Sequence, residues 1–199
     1  MAKNYLLRIA LVLFFSSSII AQEDPSLLSL ERIYSSTEFS SDYQRPIFWI
    51  EDGDAFVSIE KDDSGHDELI RYESKNYKSS TYLAASNLSV NGKNLAIEDF
   101  SLSPDASKVL IFTNSSRVWR SNTKGDFWVY DFDTKELKQL GKDFPSSSLM
   151  FAKFSEDNQF VAYVHNFNIY KENFKTGELS QLTKDGTGDI INGTFDWVY

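Results

Sequence analysis

The stretch LSPDASKVLIF at residues 102–112 recurs in altered form as FSEDNQFVAYV at residues 154–164, an offset of 52. A second pair, DFDTKELKQL at residues 131–140 and NFKTGELSQL at residues 173–182, aligns at an offset of 42. Each block places a turn between two runs of alternating apolar residues, so each unit predicts four short antiparallel strands. Four-stranded repeats of roughly 40 to 50 residues are typical of β-propeller blades, which stack because one blade cannot bury both of its faces alone.

The region before these repeats carries the same strand pattern. From Pro46 the apolar runs are IFWI (47–50), AFVSI (55–59), ELIRY (68–72) and TYLAA (81–85), with turn residues between them. Residues 190–199 (IINGTFDWVY) begin a further run. We therefore predict an all-β fold, a partial β-propeller of about three to four four-stranded antiparallel blades. Because a closed propeller needs at least four blades, we expect residues 46–199 to be an incomplete propeller domain of a longer protein.

The N-terminus has the features of an export signal. Lys3 and Arg8 are basic, residues 9–15 (IALVLFF) are apolar, and a small residue precedes the Ala21/Gln22 junction. This order is typical of a signal peptide, so we predict a leader at residues 1–21 and a secreted or periplasmic protein. The alternative is a membrane anchor formed by an uncleaved leader, although serines interrupt its apolar run.

Residues 22–45 form a lead-in segment between the leader and the first predicted blade. Its leucine-rich part, LLSLERIY at residues 27–34, favours one or two helical turns that start near Ser26.

Composition excludes several classes of function. The formal net charge is −9, and the basic residues are scattered among carboxylates, so we expect no nucleic-acid partner. The chain has no cysteine, which excludes disulfides and thiolate chemistry. It has two histidines, His66 and His165, and no G-x-S-x-G nucleophile motif. We therefore predict no catalytic residues within this chain, no metal site and no cofactor.

One candidate site stands out from the repeat. The two offsets differ by 10 residues, and the extra length in the first unit lies around residues 113–122 (TNSSRVWRSN). Propellers commonly bind ligands through the loops at one end, so an insertion with Arg117, Trp119 and Arg120 is a candidate binding site. A solvated loop covered by the tryptophan is the alternative.

Two runs of the sequence resemble a known family. IEDFSLSPDASKVLIFTNSSRVWRSNTKGDFWVYDFDTKELKQL at residues 97–140 resembles the second propeller blade of dipeptidyl peptidase IV. DGTGDIINGTFDWVY at residues 185–199 resembles the stretch before that family's double-glutamate motif. The resemblance is to bacterial-type dipeptidyl peptidase IV, a serine exopeptidase of the prolyl oligopeptidase superfamily.

This resemblance implies a role for Arg120, which matches the family arginine that hydrogen-bonds the substrate's P2 carbonyl. It also implies that the parent protein removes N-terminal dipeptides with penultimate Pro or Ala from peptides with a free N-terminus. The glutamate pair and the α/β-hydrolase domain with its Ser, Asp and His would follow Tyr199, so the chain alone is expected to be inactive. The full-length family members commonly form homodimers.

Other interpretations are open at this point. The chain could be a non-enzymatic periplasmic propeller that serves as a binding or scaffold module. It could also belong to a sister enzyme that removes tripeptides. A truncated reading frame would leave an open propeller with an exposed sheet edge, which favours aggregation.

Overall fold

The computed structural model describes residues 26–41, 46–118 and 120–195, and the predicted leader lies outside them. The chain divides into two compact units, Met1–Gln44 and Arg45–Tyr199. In the described part of the chain, no helix is both long enough and apolar enough to cross a membrane.

Residues 26–41, the described part of the first unit, contain one short helix, α1 (Leu30–Tyr34). The Ser29 side chain caps it by accepting a hydrogen bond from the Arg32 N–H at 3.2 Å. A serine at this position satisfies one of the amides that a helix leaves unpaired in its first turn. The predicted helical turn is therefore present, but it begins at Leu30 rather than near Ser26.

The described part of the second unit holds a four-stranded antiparallel sheet, blade I, an eight-stranded antiparallel sheet made of two four-stranded blades, II and III, and a small hairpin. Blade I comprises β1 (Ile47–Ile50), β2 (Ala55–Lys61), β3 (Asp67–Glu73) and β4 (Ser79–Leu83). The hairpin comprises β5 (Ser89–Val90) and β6 (Lys93–Asn94). Blade II comprises β7 (Asp99–Leu102), β8 (Lys108–Val118), β9 (Ser121–Asp131) and β10 (Glu136–Gln139). Blade III comprises β11 (Leu149–Phe154), β12 (Phe160–His165), β13 (Asn168–Asn173) and β14 (Leu179–Gln181).

The predicted all-β repeat of four antiparallel strands is confirmed. Short 3₁₀ turns lie at Glu51–Gly53 and Ala85–Leu88. The described part of residues 183–195 contains no strand, and the expected start of a fourth blade runs on into residues 196–199, outside the described residues.

The core consists of two apolar layers, one on each face of blade II. In β8, Val109 and Ile111 belong to the layer shared with blade I, whereas Leu110 between them belongs to the layer shared with blade III. Successive side chains of a strand point to opposite faces, so a continuous apolar run buries both faces of this sheet. The layer with blade I includes Val57, Ile59, Leu69, Val109, Ile111 and Tyr130, and the layer with blade III includes Leu110, Phe127, Val129, Val161, Tyr163 and Phe174.

A buried carboxylate fastens the link between blades II and III. Glu172, on β13, accepts hydrogen bonds from the Tyr163 hydroxyl at 2.7 Å and from the Gly141 N–H at 2.8 Å. Burial, together with the hydrogen bond to Glu172, raises the pKa of Tyr163 well above its usual value. Because a buried carboxylate needs donors, this pair of bonds fixes where the chain leaves β10 for the next blade.

The first turn of the repeat is built in the same way in blades II and III. Between β7 and β8, the Ser103 hydroxyl donates to Asp105 Oδ1 at 2.7 Å. Between β11 and β12, the Ser155 hydroxyl donates to Asp157 Oδ1 at 2.6 Å. These hydroxyl bonds are the main cause that lowers the pKa of Asp105 to about 2 and also lowers the pKa of Asp157.

The second turn of the repeat also recurs, with one difference in residue type. In blade II the Lys135 N–H bonds to the Asp131 carbonyl at 2.8 Å, and Lys135 has a φ of 57°. In blade III the Gly177 N–H bonds to the Asn173 carbonyl at 2.7 Å, and Gly177 has a φ of 74°. Both turns therefore need a left-handed residue, which glycine adopts without steric cost.

Gly177→Ala is expected to destabilise the protein by about 1 kcal/mol, because the left-handed backbone conformation is sterically unfavourable for a residue with a Cβ. Nothing lies within 4 Å of the added Cβ, so crowding adds no cost. Lys135→Gly is expected to stabilise the protein by about 0.5 kcal/mol, since it relieves the same strain. Urea unfolding of both variants measures the difference, and equal destabilisation by both would contradict this account.

Asp105→Asn is expected to make stability less sensitive to acid. The folded carboxyl has a pKa of about 2, below the value of 3.8 for a free aspartate, so its ionised form stabilises the fold above pH 4. That contribution fades as pH falls toward 2, whereas an asparagine keeps an acceptor that does not titrate. Urea unfolding at pH 5 and pH 3 tests this, with Asp133→Asn, at an exposed aspartate, as the charge-matched control.

Candidate functional site

The ten extra residues of the first repeat extend a hairpin. In blade III, β12 and β13 end their pairing at His165↔Asn168 and are joined by two residues. In blade II, pairing continues beyond the equivalent Thr113↔Asp126 pair to Val118↔Ser121. We call residues 114–125 the arm. The expected insertion is therefore present, but it is an outward extension of β8 and β9 and not an irregular loop.

Arg120 lies at the tip of the arm, in the turn between β8 and β9, and is exposed. Its guanidinium makes no hydrogen bond or ion pair with the residues that the structure describes. Arg117 is also exposed and does have an interaction, and Trp119 lies outside the described residues. The Arg120 donors are thus available to a ligand.

The arm has an unusual charge for this chain. Its sequence, NSSRVWRSNTKG, contains Arg117, Arg120 and Lys124 and no carboxylate. The chain as a whole has a formal net charge of −9. A locally positive projection on an acidic chain suits a partner with carbonyl or carboxylate oxygens.

One side of the arm is fastened at its base by Asp126. Asp126 Oδ1 accepts a hydrogen bond from the Ser147 N–H at 2.6 Å. Asp126 Oδ2 accepts hydrogen bonds from Asn114 Nδ2 at 2.7 Å and from the Ser146 hydroxyl at 3.0 Å. The Ser147 hydroxyl donates in turn to the Asn114 carbonyl at 2.7 Å. The arm is therefore tied to the link that enters blade III.

The other side of the arm is fastened by Glu98, just before β7. The Ser115 N–H donates to Glu98 Oε1 at 2.8 Å, and the Ser115 hydroxyl donates to Glu98 Oε2. Asn122 Nδ2 donates to the Ser115 hydroxyl at 2.8 Å, which connects the two strands of the arm. Sequence reasoning missed both Glu98 and Asp126, because their donors lie 12 to 21 residues away along the chain.

The base of the arm also requires a glycine. Gly125 pairs with Leu149 of β11, which joins blades II and III into one sheet. A Cβ on Gly125 would lie 2.4 Å from a ring carbon of Phe112 and 2.8 Å from the Thr113 carbonyl oxygen. Only glycine fits this close approach.

The segment after β14 returns to the same end of the blades as the arm. Asn168 Oδ1 accepts hydrogen bonds from the Thr183 hydroxyl at 3.2 Å and from the Gly186 N–H at 3.0 Å. The Asn192 N–H donates to the Phe167 carbonyl at 3.1 Å, in the turn between β12 and β13. That turn is the blade III equivalent of the arm tip, so the chain that leads to residues 196–199 leaves from the end of the propeller that carries Arg120.

The two histidines have structural surroundings. The His165 ring stacks on Phe144 with a centroid distance of 4.2 Å, and Nδ1 lies 3.4 Å from the Ser148 carbonyl oxygen. Burial lowers the pKa of His165, which favours the neutral ring. His66 lies in the turn between β2 and β3, where its Nδ1 is 3.6 Å from Asp62 Oδ2. Over the described ranges, no group of His, Asp and Glu side chains is arranged to hold a metal ion.

Stacked four-stranded antiparallel blades with a basic arm define this chain as part of a β-propeller. The crystal structure of Porphyromonas gingivalis dipeptidyl peptidase 4 has the same fold, with a TM-score of 0.68 and 22% sequence identity over 80% of this chain and 22% of that chain. A family model described as "Dipeptidyl peptidase IV (DPP IV) N-terminal region" matches residues 103–199.

Two curated relatives agree with this match. "Probable dipeptidyl-aminopeptidase B" of Talaromyces marneffei is 36% identical over 110 residues, which cover 55% of this chain and 12% of the relative. "Dipeptidyl aminopeptidase B" of Saccharomyces cerevisiae is 34% identical over 110 residues, which cover 55% of this chain and 13% of the relative. Residues 103–199 are thus similar to the dipeptidyl peptidase IV N-terminal region, and the described blades have the propeller fold that the sequence predicts. The match covers only about an eighth of the length of these relatives.

Replacing the arm (residues 114–125) with Asn-Gly is expected to leave a folded protein. This dipeptide closes two-residue hairpins, and the blade III equivalent shows that two residues suffice at this point. The core layers lie outside the arm, so we expect a far-UV circular dichroism spectrum that is still typical of β-sheet, and a cooperative unfolding transition. Loss of either would show that the arm belongs to the folding core.

Proposed function

We propose that this chain is the substrate-selecting propeller portion of a secreted serine peptidase that removes N-terminal dipeptides with Pro or Ala in the penultimate position. The observation that carries the proposal is that Arg120 is exposed at the tip of a braced, basic arm and has no hydrogen bond or ion pair with any described residue. The family match and relatives named as dipeptidyl aminopeptidases support it. Export would use the leader at residues 1–21, either cleaved near Ala21/Gln22 or kept as a membrane anchor.

Arg120 would bind the P2 carbonyl oxygen of the peptide. A guanidinium is permanently charged and presents several donors in a rigid fork, so it can hold a carbonyl in a defined direction. The extended hairpin would place this guanidinium beyond the end of the blade, where a substrate outside the propeller could reach it. Orientation of this kind lowers the entropic cost of bringing the scissile bond to a nucleophile.

The chemistry itself would come from residues beyond this chain. A serine with an acid and a histidine on an α/β-hydrolase domain would perform the acyl transfer, with an oxyanion hole for the tetrahedral intermediate. A carboxylate pair after residues 196–199 would bind the free amino group and limit the product to dipeptides. The proposed partners are peptides with a free N-terminus and, for the full-length protein, a second copy of itself.

The test uses the full-length product of the gene and a Gly-Pro chromogenic substrate. Arg120→Ala is expected to lower kcat/KM by about tenfold or more, which corresponds to about 1.4 kcal/mol of lost transition-state stabilisation. Arg120→Lys is expected to recover only part of this loss, because an ammonium lacks the planar fork.

Arg71→Ala is the matched control. Arg71 is a guanidinium of blade I that pairs with Glu51 at 2.6 Å, remote in sequence from the arm, and its loss should leave kcat/KM unchanged. If the full-length protein leaves the substrate intact, a non-enzymatic binding propeller becomes the better account. If it releases tripeptides from suitable peptides instead, the sister exopeptidase is correct.

A further inference from the structure

We infer that Asp126, assisted by Glu98, is a positioning residue that sets the direction of the arm and hence the place of Arg120. This inference rests on the proposed role of Arg120 in binding substrate. It starts from the pairing of β8 with β9, which is irregular between Thr113 and Val118. An irregular ladder does not by itself fix the direction of the outer half of a hairpin.

The first of the two register shifts, between Thr113 and Ser116, contains Asn114. This residue has a φ of 50°, a left-handed conformation in the middle of a strand. Asparagine tolerates that conformation better than most residues. A left-handed residue in one strand bends the hairpin at this point, so the part of the arm with Arg120 takes its direction from Asn114.

The Asn114 side chain is held by Asp126. Its Nδ2 lies 2.7 Å from Asp126 Oδ2 and also donates to the Ser146 hydroxyl at 2.9 Å. The other Asp126 oxygen accepts from the backbone of Ser147 at 2.6 Å. One carboxylate thus connects the bend to the backbone that enters blade III, and hydrogen bonds to a charged acceptor are stronger than those between neutral groups.

Glu98 provides the second point of attachment on the opposite strand edge. It accepts both the backbone and the hydroxyl of Ser115, the residue after the bend. Its own N–H donates to the Phe112 carbonyl at 3.0 Å, so Glu98 is itself fixed to β8 before the bend. Two carboxylates on different segments therefore restrain the arm on both sides of Asn114.

The test measures kinetics and hydrogen exchange on the full-length protein. Asp126→Ala is expected to speed hydrogen exchange of the amides in residues 114–125, and to raise KM for the Gly-Pro substrate by about tenfold, since small misplacements of a positioning group are costly. Asp126→Ala and Arg120→Ala should divide their loss of kcat/KM between KM and kcat in the same proportion. In an Arg120→Ala background, Asp126→Ala should add no further loss of kcat/KM, because it acts through that arginine.

A donor–acceptor exchange separates positioning from general destabilisation. Both oxygens of Asp126 accept hydrogen bonds, one from the Ser147 N–H and the other from Asn114 Nδ2. Asp126→Asn alone turns one of these acceptors into a donor, and Asn114→Asp alone places two carboxylates side by side, so each single change should raise KM. The double variant Asn114→Asp/Asp126→Asn restores one donor and one acceptor and should restore KM. Asp157→Ala is the control: it removes a carboxylate with two turn hydrogen bonds at the opposite end of blade III and should not change KM.

The outcomes are distinguishable. If Arg120→Ala lowers kcat/KM while Asp126→Ala leaves it unchanged, the positioning role is wrong and the proposed function stands. The positioning role also fails if Asp126→Ala lowers kcat/KM equally with and without Arg120, or if the exchange variant does not recover KM. If Arg120→Ala has no effect, the proposed function fails, and the positioning role fails with it.

Discussion

Stacking of one four-stranded blade on the next is the constraint on which the structure depends. Blade II has apolar side chains on both faces of β8, and neither face can be buried without a neighbouring blade. Burial of apolar area is the main favourable contribution to folding, so the order and spacing of the blades follow from this need. The turns, the fixed glycine at residue 125 and the buried Glu172 then set how closely adjacent blades approach.

The arm is the part of blade II that is not held by apolar packing between blades. Up to Thr113 the strand β8 is mostly buried, and from Asn114 outward its residues are exposed or half-buried. Apolar packing can no longer hold the hairpin there, and hydrogen bonds to Asp126 and Glu98 take over. A site built on such a projection depends on polar contacts, which are individually weak but directional, and its precision therefore lies in a few side chains.

The sequence was sufficient to predict the blades and insufficient to predict the braces. The apolar runs VLIF and VAYV, and the paired turn motifs around Asp105 and Asp157, are local signals that repeat, so the fold could be predicted from them. The repeat locates the extra residues, but their Asn and Ser content is typical of turns and does not distinguish an extended hairpin from a loop. Glu98 and Asp126 look like ordinary surface carboxylates in the sequence, since their function depends on donors brought near only by folding.

The charge of the arm also restricts what Arg120 can bind. With three basic residues and no carboxylate between residues 114 and 125, the arm repels an ammonium group and attracts oxygen ligands. A peptide with a free N-terminus carries a positive charge at one end and carbonyl oxygens along its backbone. Under the proposed function, the arm would orient such a peptide through a carbonyl, and the amino end would need carboxylates from another segment. Residues 183–195 lead the chain away from this same end of the blades, which is where a segment that supplies them would be most useful.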